Sequence, residues 1–310
     1  MEDSQRSRLS QSIEVDGVAY PVEALRRYKT PADAPRLLVV SRLLNHTSLD
    51  LLITCLRAIE CFTSEPHEIW VIDNHSRARY RKMLRQLQGI NLIFNTALPL
   101  PPGARGLNSL VYRLQRLTPF GSYENAVALE LASRIIEPES QWVMTLHMDT
   151  MPCRSGWLSY LLSKMNTRVR AAGVRMDRVR SPEGTLHILG CLFDFQLFRQ
   201  LNLSFLPDLP DLDTGDRITI AFRQSGYGIF AAPNSLWQPR LVEQLPANSP
   251  FRSLDVDRSF DDRGNIFFLH LGRGVRKSNQ AAHVGVAPKE WIEFANEWFF
   301  AGRCPGGLQS

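Results

Sequence analysis

The 310-residue sequence contains no apolar run of about 18 or more residues and no signal-peptide core, so neither membrane spanning nor export is expected of it. It has no CxxC pair and no ligand-like cysteine spacing. Its five cysteines, Cys55, Cys61, Cys153, Cys191 and Cys304, are therefore expected to be reduced, mostly buried thiols, and the cytoplasm is the expected location. Internal repeats and low-complexity tracts are missing as well. A large excess of one charge is missing: 36 Lys and Arg against 31 Asp and Glu give a formal net charge of +5, and the basic residues are spread over several segments, which favours anionic ligands such as diphosphates only weakly. No stacked aromatic-basic motif accompanies them, so nucleic acid is not an expected partner.

What is present is 44% hydrophobic and 22% charged residues, enough to bury a sizeable core. Residues 1–35 begin polar and then alternate around Asp16-Gly17, a hairpin turn signal. Three apolar runs follow, Arg36 to Arg42, His67 to Asp73 and Ile90 to Asn95, separated by helical patterns over Ser48 to Phe62, with Ser48 as N-cap, and over Arg77 to Gln88. Strand, helix, strand, helix, strand within about 60 residues is the signature of parallel βαβ units. Residues 96–120, rich in proline and glycine, are expected to be a loop insertion, and Ser122 to Ile136 a helix. Further helices are expected over Gly156 to Met165, from Thr214 to a C-terminal stop at Gly226, and over Lys289 to Phe300. Strands are expected at Ala171 to Met176, Ile229 to Pro233 and Ile266 to His270, with residues 238–262 loop-like. Leu186 to Phe198 is apolar enough to be buried, but its periodicity does not decide strand or helix.

The stretch from Gln141 to Pro152 is the centre of the pattern. It reads as one buried strand that ends in His147, Asp149 and Pro152. On a strand, residues i and i+2 face the same way, so an imidazole and a carboxylate emerge together at the exposed end. That pair can hold a divalent cation, Mn²⁺ or Mg²⁺, and an imidazole ligand suits manganese better. Without a metal, His147 is a hydrogen-bonded strand end and Asp149 a helix cap. His270 ends another apolar strand and is followed by Gly272, Arg273, Gly274, Arg276 and Lys277, a glycine-basic run suited to phosphate. It is a third candidate metal ligand, or else a core histidine. Asp73, at a strand tip, can accept hydrogen bonds from a nucleobase or ribose, or cap the helix after it.

In order and spacing, Val71-Ile72-Asp73-Asn74-His75-Ser76, His147-Met148-Asp149, Gly156-Trp157-Leu158, Asp213-Thr214-Gly215, Gly226-Tyr227 and His270-Leu271-Gly272-Arg273 resemble the family-two glycosyltransferases of the GT-A fold. The resemblance covers roughly residues 36–275. It implies a Rossmann-like three-layer α/β/α sandwich with a mostly parallel sheet, an N-terminal hairpin appendage over 1–35, and a C-terminal helix packed on the body within 276–310. It also implies a nucleoside-diphosphate sugar donor of UDP or dTDP type bound at the carboxyl edge of the sheet, a divalent metal, and a saccharide, lipid-linked or other hydroxyl acceptor. The usual motif begins with aspartate where this chain has His147.

By family position Ser41 and Arg42 touch the nucleotide with Asp73, His147 and Arg273, and Asp149, His147 and His270 surround the metal. Asp213 stands where the family carries its general base, with Asp216 as second choice, although either also serves as a helix cap. A base without a second nucleophile implies single displacement with inversion. Two basic groups, Arg77, Arg79, Arg81, Lys82 and Arg85, then Arg168, Arg170, Arg175, Arg178 and Arg180, read first as solvated faces and second as a peripheral contact with anionic lipid at the inner membrane face. The competing functional readings are a nucleotidyltransferase, which normally carries a glycine-rich loop after its first strand where Ser41-Arg42-Leu43-Leu44-Asn45 has no glycine, and a non-catalytic nucleotide-sugar-binding relative.

Overall fold

The computed structural model describes residues 7–102, 121–175, 182, 184–279 and 285–301. The elements begin with β1 (Ser7–Val15), β2 (Val18–Arg26), β3 (Arg36–Ser41), α1 (His46–Phe62), β4 (Glu68–Asn74), α2 (Ala78–Leu84), β5 (Asn91–Asn95) and α3 (Ser122–Ser133). They continue with β6 (Trp142–His147), β7 (Thr150–Pro152), α4 (Trp157–Lys164), β8 (Val169–Arg175), β9 (Leu186–Asp194), α5 (Phe195–Gln200), α6 (Asp216–Gln224) and β10 (Gly228–Ala232). The last are α7 (Arg240–Glu243), α8 (Pro250–Ser253), β11 (Asp257–Phe260), β12 (Ile266–His270), α9 (Gly274–Asn279) and α10 (Pro288–Ala295), which runs into a π-helical turn, Asn296–Phe300.

Among the described residues the main sheet has nine strands in the order β1-β2-β5-β4-β3-β6-β9-β8-β10, and a second sheet has the order β11-β12-β7. In the main sheet β2 and β9 run against the other strands, so the sheet is largely parallel. The α/β class expected from the sequence is the one observed. The reason lies in the central strands, which are buried on both faces and so need no polar alternation. Leu37, Val39, Val71 and Leu146 face a core shared with α1, α2, α4 and α10. Leu38, Val40, Trp70 and Ile72 face another shared with α3, α5 and α6. These two cores make the three layers.

Local signals place most of the elements. Asp16 and Gly17 both take positive φ, 52° and 70°, as a two-residue hairpin turn between right-twisted strands requires. The hairpin does not stand apart: β2 pairs antiparallel with β5 and extends the main sheet. Gly226, with φ of 85°, follows the end of α6, where the Tyr227 amide bonds back to the Phe222 carbonyl at 2.9 Å. Leu186–Asp194 is a strand, and the following Phe195–Gln200 a helix capped by the Asp194 carboxylate on the Leu197 amide at 2.9 Å. A buried polar network ties the sheet's lower edge: Glu68 accepts from Trp70 Nε1 at 2.8 Å, Asn91 Nδ2 at 3.0 Å and the Thr30 amide at 3.0 Å.

Several expectations are corrected. Ser48 is not the N-cap of α1; Asn45 is, its side chain accepting from the Ser48 amide at 2.9 Å while Ser48 returns the bond to Asn45 N, a capping box shifted by three residues. Gln141 to Pro152 is not one strand. β6 ends at His147, the chain turns at Met148-Asp149, and β7 joins the other sheet by pairing with β12. Residues 238–262 are not all loop, because Asp257–Phe260 pairs with β12 across a register shift. Cys55, Cys153 and Cys191 are free and buried as expected, whereas Cys61 is disulfide-bonded and so is not the reduced thiol expected of it. Cys304, most of the 96–120 segment, Arg178 and Arg180 lie outside the described residues. No helix among the described residues is long and apolar enough to cross a membrane.

Candidate active site

Parallel register brings the strand tips together. Ser41 lies opposite Asp73, and Val40 opposite His147, so β4, β3 and β6 deliver Asp73, Ser41 and His147 to one edge of the sheet. Asp73 is fully buried, and no neighbour makes a well-aligned hydrogen bond to either carboxylate oxygen. Burial pushes its carboxyl up to about 7, with Ser76 and the charges of Arg81 and Arg42 offsetting only part of that rise. Ser41 is buried with its hydroxyl donating to the Ile72 carbonyl at 3.3 Å, and Arg42 is buried beside it.

The turn after β6 is held from three directions. Met148 N donates to the Val40 carbonyl at 3.0 Å, Leu271 N to the Asp149 carbonyl at 3.0 Å, and Thr150 Oγ1 to the His147 carbonyl at 2.7 Å. The Asp149 side chain then points among three polar groups. His147 Nδ1 stands 2.5 Å from Oδ1, the Gly274 amide donates to Oδ2 at 2.6 Å, and His270 Nε2 lies 3.8 Å from Oδ2. Burial would raise the Asp149 carboxyl, but His147, His270 and the Gly274 amide together hold it well below the usual carboxylate range. The approach of Gly274 is close enough to require glycine: a Cβ there would sit 2.4 Å from Asp149 Cβ.

β12 brings His270 to this turn through its pairing with Thr150 in β7. Gly272 and Arg273 follow with φ of 71° and 58°, a tight left-handed turn that aims the start of α9 at Asp149. Arg273 is exposed. Lys277, expected among the groups that meet phosphate, instead turns inward and donates to the Leu271 and Val286 carbonyls at 3.1 Å each. Its burial lowers the ammonium pKa, with Asp149 and Asp255 opposing. It ties the loop together, while Arg273 and Arg276 remain exposed.

Among the described residues no group of three or more His, Cys, Asp and Glu side chains is arranged to hold a metal ion. Two protein groups nevertheless fit one edge of such a site. His270 Nε2 is buried and makes no hydrogen bond, and it faces the Asp149 carboxylate across a gap too wide for one. Cations that work on phosphates are commonly held by one or two protein groups and completed by the substrate's own oxygens.

Asp213 and Asp216 sit at the head of α6. Asp216 is buried and accepts from the Asp213 amide at 2.8 Å, so the second-choice base is the residue that fixes the turn. Asp213 Oδ1 accepts from the Thr214 amide at 2.7 Å, and Gly215, with φ of 77°, is the N-cap. Thr214 Oγ1 donates to the Ser122 carbonyl at 2.5 Å, anchoring the turn to α3.

Residues that sequence reasoning missed complete the picture. His187 in β9 packs edge-on against His270, ring centroids 5.1 Å apart. Asp257 lies opposite His270 in the β11–β12 register and is held by Asn234 Nδ2 at 2.9 Å and Ser235 Oγ at 3.5 Å. Burial raises its carboxyl, and His270 is the main opposing influence. Asp257 carries no sequence signal, since β11 is short and irregular. Within the two basic groups, Arg85 grips Glu23 through two bonds of 2.8 and 2.7 Å, Arg79 stacks on Tyr80, and Arg170 pairs with Asp194 at 2.9 Å.

No family model matches this chain, and no curated protein matches it at a significant level. Among solved structures, it is similar to the galactosyltransferase LgtC in complex with donor and acceptor sugar analogues, with 12% identity and a TM-score of 0.47 over 87% of this chain and 100% of the other. It is similar to a mutant Drosophila β1,4-galactosyltransferase 7 in complex with manganese, UDP-Gal and xylobiose, with 12% identity and a TM-score of 0.38 over 84% and 79% of the two chains. A 4-diphosphocytidyl-2C-methyl-D-erythritol synthase from Anaerococcus prevotii gives 10% identity and a TM-score of 0.41 over 64% and 86%. With TM-scores below 0.5, none of the three bears on function; the residues of this chain have to.

Proposed function

We propose that the chain is a glycosyltransferase that moves a sugar from a nucleoside diphosphate sugar, of UDP or dTDP type, to an acceptor hydroxyl. The observation that carries this is the meeting of Asp149 and His270 at the sheet's carboxyl edge, beside Asp73 and the Gly272-Arg273 turn. Open α/β sheets bind ligands at that edge. A divalent cation held by Asp149 and His270 would neutralise charge on the departing diphosphate as a Lewis acid. His147 holds the Asp149 carboxylate in place through Nδ1, which makes it a positioning group in the sense that outer-shell partners orient ligands.

The remaining roles fall to the chain's own side chains. Asp73, with Ser41 and Arg42 beside it, receives the nucleoside. Arg273 meets the diphosphate from the solvent side. Asp213 takes the proton from the acceptor hydroxyl as its oxygen attacks the anomeric carbon and the bond to the diphosphate breaks. One displacement inverts the anomeric configuration.

Thermal shift with Mn²⁺ and a nucleotide panel tests the reading. Stabilisation by UDP or dTDP supports it, stabilisation by triphosphates in preference would point to nucleotidyl transfer, and no response to any nucleotide would leave a fold without donor binding. Asp213→Asn is expected to abolish transfer while UDP still binds. Unchanged turnover in that variant removes Asp213 as the base.

A further inference from the structure

We infer that β1 is an assembly edge, to which β1 of a second copy of this chain adds antiparallel, with Gln11 facing Gln11 across a two-fold axis. β1 is a terminal strand of the nine-stranded sheet, and among the described residues it pairs with β2 alone. Sheets guard such an edge by keeping it short, bulged or interrupted by proline. The opposite edge is guarded in this way: β10 has five residues, its register slips between Gly228 and Ile229, and Pro233 follows it. β1 has none of these features. It runs nine residues without proline, glycine or a register shift, its first six residues are exposed, and its two charges, Arg8 and Glu14, have opposite signs.

The backbone offers the bonds. In a two-residue hairpin the residues beside the turn, here Val15 and Val18, exchange the first pair of hydrogen bonds, and the exchange recurs at every second residue. The peptide groups of Ser7, Leu9, Gln11, Ile13 and Val15 are thus turned to β2, and those of Arg8, Ser10, Ser12 and Glu14 away from it. Pro21 agrees with this phase: it lies opposite Ser12, and its carbonyl accepts from the Thr96 amide at the end of β5, on the side away from β1, at 3.3 Å. The side chains match across the two-fold axis. It sets Arg8 opposite Glu14, Ser10 opposite Ser12 and Leu9 opposite Ile13 of the second copy, and every residue from Ser7 to Val15 meets another. Arg8 and Glu14 are both exposed, and the symmetry makes two such opposite-charge pairs. Arg8 lies 2.9 Å from Glu23, whose carboxylate Arg85 already holds through two bonds, so Arg8 can turn to the second copy without leaving a bare charge. Leu9, 47% exposed, continues the buried stripe of Ile13 and Val15, and the second copy covers it at a non-hydrogen-bonded position, where facing side chains stand closest.

Sedimentation velocity of the full chain at tens of micromolar tests this. Wild type is expected at the mass of two chains. Arg8→Glu and Glu14→Arg each set like charges opposite one another twice, and each variant alone is expected to associate at least about tenfold more weakly than wild type. Mixed in equal amounts, the two variants are expected to form a mixed dimer of near wild-type affinity, because every pair then joins opposite charges again. Damage to the fold of either chain would not be mended by mixing. Ser10→Pro removes an amide that points away from β2, so it is expected to leave the thermal unfolding midpoint close to that of wild type and the protein monomeric. A monomeric wild type, a dimer that Ser10→Pro leaves intact, or charge variants that associate no better mixed than apart each overturns the inference.

Discussion

Asp73→Asn should separate what this residue does for the fold from what it does for the site. The carboxylate is fully buried at the tip of β4, and its pKa stands at about 7 against an ordinary 3.8. A folded-state pKa above the unfolded one means that the folded protein binds the proton more tightly. The stability this contributes is complete below about pH 4 and is lost as pH rises through about 7. The difference of about 3 pK units corresponds to about 4 kcal/mol at the most, since each unit is about 1.36 kcal/mol. Asparagine is close in shape and cannot ionise, so the variant lacks this slope. Urea unfolding of both proteins at intervals from pH 4.5 to 8.5 should show near-equal stability at the acid end and a gain for the variant of up to about 4 kcal/mol at the alkaline end. Binding of UDP or dTDP should weaken in the same variant, because the amide offers a different hydrogen-bonding pattern to the nucleoside. A stability difference that stays constant across the pH range would refute the assignment of the ionisation cost to Asp73.

Gly274→Ala places a methyl group 2.4 Å from Asp149 Cβ; it should destabilise the fold by about 1–3 kcal/mol and weaken Mn²⁺ binding, and unaltered values in unfolding and metal titration would show that the close approach is unimportant. Glu68→Ala strips the partners from Trp70, Asn91, Thr30 and the buried Arg36, with an expected loss of about 3–5 kcal/mol in urea unfolding and no specific effect on nucleotide preference. His270→Ala should lower Mn²⁺ affinity measured in the presence of UDP by at least about tenfold, while metal-free UDP binding stays close to wild type; an unchanged Mn²⁺ titration would remove His270 from the cation site.

Much of the architecture is legible in neighbouring residues. Arg36–Ser41 and Ile266–His270 are apolar runs of strand length, and the structure begins and ends them close to where the runs do. Asp16-Gly17 and Gly226 announce a turn and a helix end because few other residues take positive φ without cost. These are local effects, written in the pattern of a few consecutive side chains. The α/β class follows from them, since strands buried on both faces alternating with amphipathic helices have few ways to pack.

The site is legible only in part. His147, Asp149 and His270 could be picked out as ligand types at strand ends, but the break at Met148-Asp149 could not. It arises because β7 leaves the main sheet to pair with β12, more than 100 positions later. The Gly274 amide on Asp149 spans 125 positions, and His187 meets His270 across the fold. The inward turn of Lys277 depends on carbonyls that the loop presents only once folded. Sequence by itself determined which residues could do chemistry and at which strand ends they would stand, because propensity and burial act over a few residues. Tertiary structure decided what each of them touches, because hydrogen bonds and close packing act over a few ångströms regardless of distance along the chain.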